Sequence, residues 1–244
     1  MNLEGAGALV TGGSSGIGAA TVAALAKAGA RVAVLDRAAA DGQGDVALPC
    51  DITDERQVEE AVRRVHDEFG GLDVAVLNAG IGGLAHIVDM TLEEFDRVMD
   101  VNLKGTFLTL RESARAMVEG GNGGVIVATS STSSYLAERG MAHYNASKAA
   151  VNQLVRIAAR ELGPAGIRVN AVAPGVTQTP LFAPTEHLPG YWDRLAERTP
   201  SGVIGTAEDV AEAILAMARL DWVTGQVLTA DGGISLFSPI DPIS

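Results

Sequence analysis

Residues 11–18 read TGGSSGIG, and this glycine-rich stretch joins a predicted strand, Ala6–Thr11, to a predicted helix, Gly16–Ala28. The amino end of a helix carries unpaired N–H groups and a partial positive charge, so it attracts phosphate groups. Glycines there let the backbone approach a pyrophosphate and let the helix pack close to the strand. However, the spacing Gly12-x-x-x-Gly16-x-Gly18 differs from the common G-x-G-x-x-G pattern. Tight turns also use glycine for steric reasons alone, so the stretch by itself leaves both interpretations open.

A carboxylate follows the second predicted strand, Arg31–Leu35. Asp36 comes 18 residues after Gly18, where an acid accepts hydrogen bonds from a ribose diol and repels a 2′-phosphate. The glycine stretch holds no Arg or Lys to offset that repulsion, although Arg37 is adjacent. We therefore predict NAD rather than NADP as the cofactor. The alternative is that Asp36 only caps a turn.

Short β-branched runs alternate with longer amphipathic stretches along the whole chain. The predicted strands are Ala6–Thr11, Arg31–Leu35, Val46–Pro49, Leu72–Leu77, Val125–Thr129, Ile167–Ala173 and Gln226–Ala230, and the predicted helices are Gly16–Ala28, Asp54–Phe69, Thr91–Glu119, Ala142–Leu162 and Ala207–Arg219. This alternation predicts an α/β fold, a doubly wound parallel sheet with helices on both faces, in one domain over residues 1–244. Prolines at 180, 184, 189 and 200 interrupt the pattern and predict a substrate-loop insertion with a short helix at about residues 179–200.

Composition restricts the partners and the cell compartment. The 244 residues carry a formal net charge of −12, so nucleic acid and anionic membranes are poor partners. The single cysteine, Cys50, permits no intrachain disulfide, which favours a cytoplasmic location. The start of the sequence shows no signal-peptide pattern. Gly5–Ala26 is uncharged over 22 residues, but its six glycines favour a strand, turn and helix over a membrane span. The four histidines have no metal-ligand spacing, so no metal is expected.

Two residues at the start of the long predicted helix Ala142–Leu162 have an acid–base pattern. Tyr144 and Lys148 are four apart and therefore share one helical face. A nearby ammonium is expected to lower the pKa of a phenol and make it a general acid and base. Such a pair alone is usually a solvated helix face. Ser131 lies 13 residues earlier, beyond the strand Val125–Thr129, where an open parallel sheet places its ligands; the neighbouring Ser130 is the less favoured candidate.

With these motifs in order, the sequence resembles the short-chain dehydrogenase/reductase family over about residues 3–235. The matching motifs are TGGSSGIG, Asn78-Ala79-Gly80, Val101-Asn102, the set Ser131, Tyr144 and Lys148, Asn170-Ala-Val-Ala-Pro174-Gly175, and Thr224-Gly-Gln with Asp231-Gly-Gly. The resemblance implies a Rossmann fold with about seven strands in the order 3-2-1-4-5-6-7. It also implies a homotetramer built on the two long helices.

The resemblance also implies a role for each matching residue. Tyr144 would exchange the substrate proton, Lys148 would lower its pKa, and Ser131 would orient the substrate oxygen. Asn102 would hold a water that links Lys148 to solvent; alternatively it merely breaks the helix. The implied cofactor-binding residues are Gly12, Ser14, Ser15, Gly16, Ile17, Gly18, Asp36, Asp51, Ile52, Asn78, Ala79, Gly80, Tyr144, Lys148, Pro174, Gly175, Val176 and Thr179. Only 15 residues separate Asp36 from Asp51, so the adenine pocket is expected to be more open than in relatives.

The predicted function is hydride transfer between NAD(H) and a secondary alcohol or ketone. The alternatives are an NADP-dependent 3-oxoacyl carrier-protein or carbonyl reductase, and a dinucleotide-binding sensor without turnover. Candidate substrate segments are Ile81–Ile87, Ser133–Met141 and Leu181–Thr199. Leu181, Phe182, Leu188, Tyr191, Trp192 and Leu195 predict a moderately apolar substrate under a lid; ordinary packing of a short surface helix is the other explanation.

Overall fold

The computed structural model describes residues 1–181 and 188–236. Within them, seven parallel strands form one sheet in the order β3-β2-β1-β4-β5-β6-β7. The strands are β1 (Gly7–Thr11), β2 (Arg31–Asp36), β3 (Val46–Pro49), β4 (Val74–Leu77), β5 (Gly124–Thr129), β6 (Ile167–Pro174) and β7 (Val227–Ala230). The predicted doubly wound sheet and its strand order are confirmed. Because every strand runs the same way, their carboxyl ends share one edge of the sheet.

The helices cover both faces of this sheet. They are α1 (Gly16–Lys27), α2 (Glu55–Phe69), α3 (Leu92–Met99), α4 (Thr106–Gly120), α5 (Ala142–Leu162), α6 (Tyr191–Glu197) and α7 (Ala207–Arg219). Strand residues alternate between two cores: Leu9 packs with the buried faces of α2, α4 and α5, whereas Ala8 and Val10 pack with those of α1 and α7. Burial on both faces is what the continuous apolar runs of the strands predict.

Helix α2 shows how the sequence sets an element and its ends. Asp54 caps its amino end by accepting a hydrogen bond from the backbone N–H of Gln57 at 3.1 Å. The helix ends at Gly70, which has a φ of 73° that glycine adopts without steric cost. The apolar face of this helix is buried and packs against the sheet; Val58 and Val65 on it are 0% exposed.

The long predicted helix Thr91–Glu119 is divided in the structure. Thr91 caps α3 and accepts from the N–H of Glu94 at 3.1 Å. Between α3 and α4, however, Asp100–Gly105 forms a π-helical segment. A π segment inserts one extra residue per turn, which periodicity does not reveal, and such segments are common at functional sites.

The remaining predicted bounds agree to within one residue, except at β4. This strand begins at Val74 rather than at Leu72, because Asp73 pairs with Gly7 through its side chain as well as its backbone N–H. The predicted insertion contains the short helix α6; residues 182–187, and with them Phe182 and His187, lie outside the described residues. Within the described part, no helix has both the length and the apolar character to cross a membrane.

Candidate active site

A cavity of about 960 Å³ lies at the carboxyl ends of the strands. It is lined by the turn after β1, the ends of β2, β4, β5 and β6, and the first turns of α5. Ligand clefts in open parallel sheets lie at this edge, and the volume is near the upper end of the usual range for ligand sites. The position of the cavity therefore follows from the parallel topology.

The glycine turn (residues 11–18) forms one wall of this cavity. Gly12 and Gly16 have φ values of 65° and 50°, and both line the cavity with Ser15 and Ile17. Ser15 is the N-cap of α1, but its side chain makes no capping hydrogen bond. The first N–H groups of α1 have no intrahelical acceptor, so this helix end can receive an anion. The turn thus has the chemistry that a dinucleotide pyrophosphate needs.

Two predicted cofactor residues of the glycine turn, Ser14 and Gly18, make contacts within the protein. Gly18 is buried, and a Cβ there would overlap the carbonyl oxygen of Gly12 and lie 2.7 Å from Asn78 Nδ2. Ser14 donates its backbone N–H to Asp36 at 3.2 Å and its hydroxyl to Gln43 Oε1 at 2.9 Å. These contacts brace the turn, and neither Gly18 nor Ser14 is part of the described cavity lining.

Asp36 lines the cavity at the end of β2. One carboxylate oxygen accepts from Ser14, and the other accepts from the N–H of Ala38 at 2.9 Å. The residue therefore does cap a turn, and the same bonds hold its charge at the cavity wall. The shortened segment after β2 forms no helix; Gln43 ties it back to the glycine turn.

The next wall comes from residues 51–52 and 78–80, all of which line the cavity. Asp51 accepts from the N–H and the hydroxyl of Thr53 at 2.9 and 2.8 Å. Asn78 connects neighbouring strands: its N–H donates to Thr11 Oγ1 at 3.0 Å, and its Oδ1 accepts from Thr129 at 3.1 Å. Asp51, Ile52, Asn78, Ala79 and Gly80 therefore lie in one place, as the sequence predicts.

The end of β6 closes the opposite side. Pro174, Gly175, Val176 and Thr179 all line the cavity. Gly175 donates its N–H to Ala230 of β7 at 3.0 Å, and a Cβ on Gly175 would lie 2.6 Å from the Cβ of Asp231. Close packing of this strand end explains why a glycine stands there.

Ser131, Tyr144 and Lys148 also line this cavity and are largely buried, with 9%, 9% and 4% of their surfaces exposed. The ammonium of Lys148 donates to the carbonyl oxygen of Thr129 at 2.8 Å and lies 5.7 Å from the ring centroid of Tyr144. Burial lowers the pKa of Lys148 to about 8. We refer to residues 131–148 as the serine–tyrosine segment.

The predicted lowering of the Tyr144 pKa is wrong for the structure described, in which that pKa is raised. Burial raises the pKa of the phenol above its usual value, the hydrogen bond with Ser131 lowers it, and the nearby charge of Glu138 raises it. Desolvation of the phenolate dominates because the ring is enclosed by the protein. The ammonium of Lys148 donates to the carbonyl oxygen of Thr129 and not to the phenol, and its proximity does not reverse the raised pKa.

Asn102 lies in the π-helical segment and is fully buried, but it is not part of the described cavity lining. Its side chain accepts from the N–H of Ile81 at 2.8 Å and donates to the Ile81 carbonyl oxygen at 3.0 Å and to Ser147 Oγ at 3.1 Å. Gly80 lies beside both Asn102 and Lys148. The segment widens the helix instead of breaking it, and Asn102 joins the strand-four loop to α5.

Several cavity residues belong to no motif that the sequence analysis used for the site. They include Arg37, Arg97, Asp100, Thr177, Glu138, Met141, Tyr191, Leu195, Arg198 and Ile234. Glu138, Met141, Tyr191 and Leu195 fall in segments predicted to bound the substrate, whereas only Ile81 and Gly82 of the segment Ile81–Ile87 line the cavity. Glu138 could have been named as a site residue from the sequence, because it lies between Ser131 and Tyr144. Among the described residues there is no cluster of metal ligands.

Comparisons with known proteins agree with this geometry. The family model described as enoyl-(acyl carrier protein) reductase matches residues 12–235. Short-chain dehydrogenase reductase 3a of Arabidopsis thaliana is 39% identical over 98% of this chain and 99% of that protein. The mitochondrial (-)-isopiperitenol/(-)-carveol dehydrogenase of Mentha piperita is also 39% identical, over 95% of this chain and 94% of that protein. A crystal structure of the 3-ketoacyl-(acyl-carrier-protein) reductase of Brucella melitensis complexed with NADH, 34% identical, covers 96% of this chain and 99% of its own with a TM-score of 0.88. Given these near full-length matches and a parallel sheet with the expected motifs around one cavity, the chain belongs to the short-chain dehydrogenase/reductase family.

Proposed function

We propose that this chain is an NAD-dependent alcohol dehydrogenase or ketone reductase that transfers hydride between NAD(H) and a secondary alcohol or ketone. One observation carries the proposal: Ser131, Tyr144 and Lys148 line the same cavity as the open amino end of α1 and Asp36. A dinucleotide on the glycine turn and a substrate oxygen beside Tyr144 can therefore meet. Family membership makes the chain an oxidoreductase that uses a nicotinamide dinucleotide.

The proposed residues for the cofactor divide along its length. The glycine turn binds the pyrophosphate, Asp36 binds the adenosine ribose, and Asp51 with Ile52 borders the adenine. Asn78, Ala79 and Gly80 border the adenosine ribose, while Pro174, Gly175, Val176 and Thr179 contact the carboxamide and phosphates. The bound nicotinamide supplies or takes up the hydride.

The proton is moved by the protein. During alcohol oxidation the oxygen of Tyr144 accepts the proton of the substrate hydroxyl, and during ketone reduction it returns a proton to the substrate oxygen. The hydroxyl of Ser131 orients that oxygen. Lys148 must leave its bond to Thr129 or add a bond to the nicotinamide ribose to bring its charge to the phenol. In that arrangement the ammonium lowers the pKa of Tyr144, which burial alone raises.

Asp36 supports NAD over NADP. Its carboxylate is held at the cavity wall by two backbone N–H groups, so a 2′-phosphate at this point would meet a fixed negative charge. A second candidate is an NADP-dependent 3-oxoacyl (carrier-protein) or carbonyl reductase, because a similar protein is named 3-ketoacyl-(acyl-carrier-protein) reductase. A sensor without turnover is less favoured, since it has no use for Ser131, Tyr144 and Lys148 in one cavity.

The remaining proposals concern assembly and location. We propose a cytoplasmic homotetramer in which the cofactor and the substrate occupy one domain of each chain. Phe107 and Val118 of α4 and Ile157 of α5 are 42%, 50% and 47% exposed, which suits packing of these helices against a second copy. The substrate is proposed to be a moderately apolar small molecule, because Leu181, Tyr191 and Leu195 line the cavity.

Tyr144→Phe tests the function. We expect the oxidation of secondary alcohols, followed by NADH absorbance over a panel of alcohols and diols, to fall by about 10³-fold or more, because general acid–base catalysis is lost. NADH affinity, measured by fluorescence titration, is expected to stay within about threefold, since the other residues proposed to bind the dinucleotide are unchanged. Tyr135→Phe is the matched control, since Tyr135 is half exposed and bonds to Thr229.

Three outcomes separate the candidates. Unchanged turnover in Tyr144→Phe would remove the proposed acid–base residue. A wild type that binds NADH but converts none of the panel would support the sensor, and activity confined to 3-oxoacyl thioesters would support the second candidate.

A further inference from the structure

The cavity holds a carboxylate to which the proposed function assigns no role. Among the described residues that line it, the carboxylates are Asp36, Asp51, Asp100 and Glu138. The first two lie at the ends of β2 and β3, where the adenosine is proposed to bind, and Asp100 pairs with Lys104 at 2.8 Å. Glu138 differs from these because it lies in the serine–tyrosine segment, between Ser131 and Tyr144.

Glu138 is fixed beside both reacting side chains. Its Oε1 accepts from the hydroxyl of Ser133 at 3.1 Å, and its Oε2 accepts from the amide of Asn145 at 2.6 Å. Ser133 in turn donates its N–H to Ser131 Oγ at 3.1 Å, and Asn145 directly follows Tyr144. The carboxylate is thus linked to Ser131 through Ser133, and it is bonded to the residue that follows Tyr144.

These bonds leave acceptor capacity on Glu138. A carboxylate has about four acceptor positions, and the two neutral donors use two of them. The same cavity is also lined by the largely apolar side chains of Leu136, Met141, Tyr191 and Leu195. An ionised carboxylate in such a wall is costly unless donors satisfy it, so a substrate that brings a donor gains binding energy there.

We infer that Glu138 determines substrate specificity by accepting a hydrogen bond from a second hydroxyl of the substrate, one carbon away from the carbon that exchanges hydride. The preferred substrates are then vicinal diols and α-hydroxyketones with an apolar body, rather than simple secondary alcohols. This inference rests on the proposed function, because the reacting hydroxyl must lie between Ser131 and Tyr144.

Glu138 also acts on the proton transfer. Its negative charge raises the pKa of Tyr144, because a like charge disfavours the phenolate. Loss of that charge therefore lowers the pKa of the phenol. During alcohol oxidation, activity rises with pH as the phenol loses its proton, so the midpoint of that rise should move to lower pH. A residue that only held the segment in shape would not move this midpoint.

The test compares cis-1,2-cyclohexanediol with cyclohexanol as substrates for NAD-dependent oxidation. We expect wild type to prefer the diol in kcat/KM, and Glu138→Gln to reduce the diol-to-cyclohexanol ratio by about 10- to 100-fold, the value of a hydrogen bond to a charged group. The pH midpoint for cyclohexanol should also fall. Glu138→Asp keeps the charge but withdraws the oxygens, so it should lose the diol preference with little change in midpoint. Glu212→Gln, an exposed carboxylate on α7, is the charge-matched control.

Each outcome decides the inference. An unchanged ratio overturns it, as does an equal loss toward both substrates with a fixed midpoint, which indicates a structural role. A stronger preference for 2-aminocyclohexanol than for the diol would assign Glu138 to an ammonium group and also overturn the hydroxyl assignment. If wild type oxidises neither alcohol, the proposed function itself has failed, whereas oxidation of cyclohexanol without diol preference refutes only the inference. Circular dichroism verifies folding, and Glu138→Asp carries the test if Glu138→Gln does not fold.

Discussion

The glycine turn and the serine–tyrosine segment face the same cavity but present different groups to it. The turn presents backbone: Gly12, Gly16 and the uncapped amino end of α1. The segment presents buried side chains, above all Tyr144 and Lys148, whose charge states depend on what surrounds them. Binding by backbone N–H groups needs room for the ligand and correctly oriented groups, and the local sequence specifies both. Chemistry by buried side chains needs a particular electrostatic environment, which the whole fold specifies.

This difference predicts two kinds of sensitivity. In the glycine turn a single methyl group should be damaging, because the contacts are backbone to backbone. In the serine–tyrosine segment a change of charge should matter more than a change of volume. The following variants test that division, beginning with the largest expected effect.

Gly18→Ala should cause the largest loss. Its Cβ would overlap the Gly12 carbonyl oxygen, so α1 must move away from the turn. Overpacking of this kind costs about 1–3 kcal/mol or more, and the displaced helix end should lower NADH affinity at least about tenfold. Urea unfolding and fluorescence titration of NADH measure the two effects.

Gly120→Ala is the matched control for that prediction. Gly120 is exposed at the end of α4, and among the described residues outside this helix the nearest atom to the added Cβ is His66 Nε2, at an ordinary contact distance of 3.9 Å. The free energy of unfolding of this variant should be unchanged or higher by up to about 1 kcal/mol, because alanine restricts the unfolded chain. Equal losses in Gly18→Ala and Gly120→Ala would refute the explanation from close packing.

Asp36→Ala changes a side chain at the edge of the glycine turn and tests the preference between the two dinucleotides. Removal of the carboxylate takes away the repulsion of a 2′-phosphate, so NADPH affinity relative to NADH should rise about 10- to 100-fold. Titration of both dinucleotides measures the ratio, with Asp41→Ala as a control, since Asp41 is exposed in the same connection. A wild type that binds NADPH more tightly than NADH would contradict the proposed cofactor.

The sequence predicts the architecture well because the signals for it are local. Alternating apolar runs predicted the seven strands, and the family resemblance implied their order, which the structure confirms. The division of Thr91–Glu119 was missed, because the π-helical segment Asp100–Gly105 keeps helical periodicity on both sides. Spacing identifies such elements, but not an extra residue within a turn.

For the candidate site, spacing placed the motif residues in one cavity but did not give their chemistry. The pair Tyr144 and Lys148 was recognised from its interval of four, and the sequence then predicted a lowered pKa for the phenol. The direction of that shift was wrong, because burial raises the pKa of Tyr144, and Lys148 donates to Thr129 instead of to the phenol. Ser14 and Gly18 brace the glycine turn through their own contacts, and their predicted role in cofactor binding stays a prediction. Desolvation and long-range bonds arise only when distant strands meet.

Lys148→Met tests how much the burial of the Lys148 ammonium destabilises the fold. Burial lowers its pKa from 10.5 to about 8, so charging it in the folded protein is unfavourable by about 3 kcal/mol relative to the unfolded chain. Lys148→Met removes this cost, although the carbonyl oxygen of Thr129 then loses its donor, which costs about 1–2 kcal/mol. The variant should therefore be more stable than wild type by about 1–2 kcal/mol at pH 7, and inactive.

The pH dependence of the free energy of unfolding shows whether the buried charge causes this difference in stability. Between pH 8 and 10.5 the unfolded state binds a proton at Lys148 that the folded state has released, so this residue makes wild-type stability rise with pH through that window. Lys148→Met lacks that contribution, whereas every other titrating group is common to both proteins. The stability advantage of the variant should consequently shrink as the pH rises from 8 to 10.5, and denaturant unfolding at several pH values measures it. An advantage that stays constant across this window would show that packing, and not a buried charge, distinguishes the two proteins.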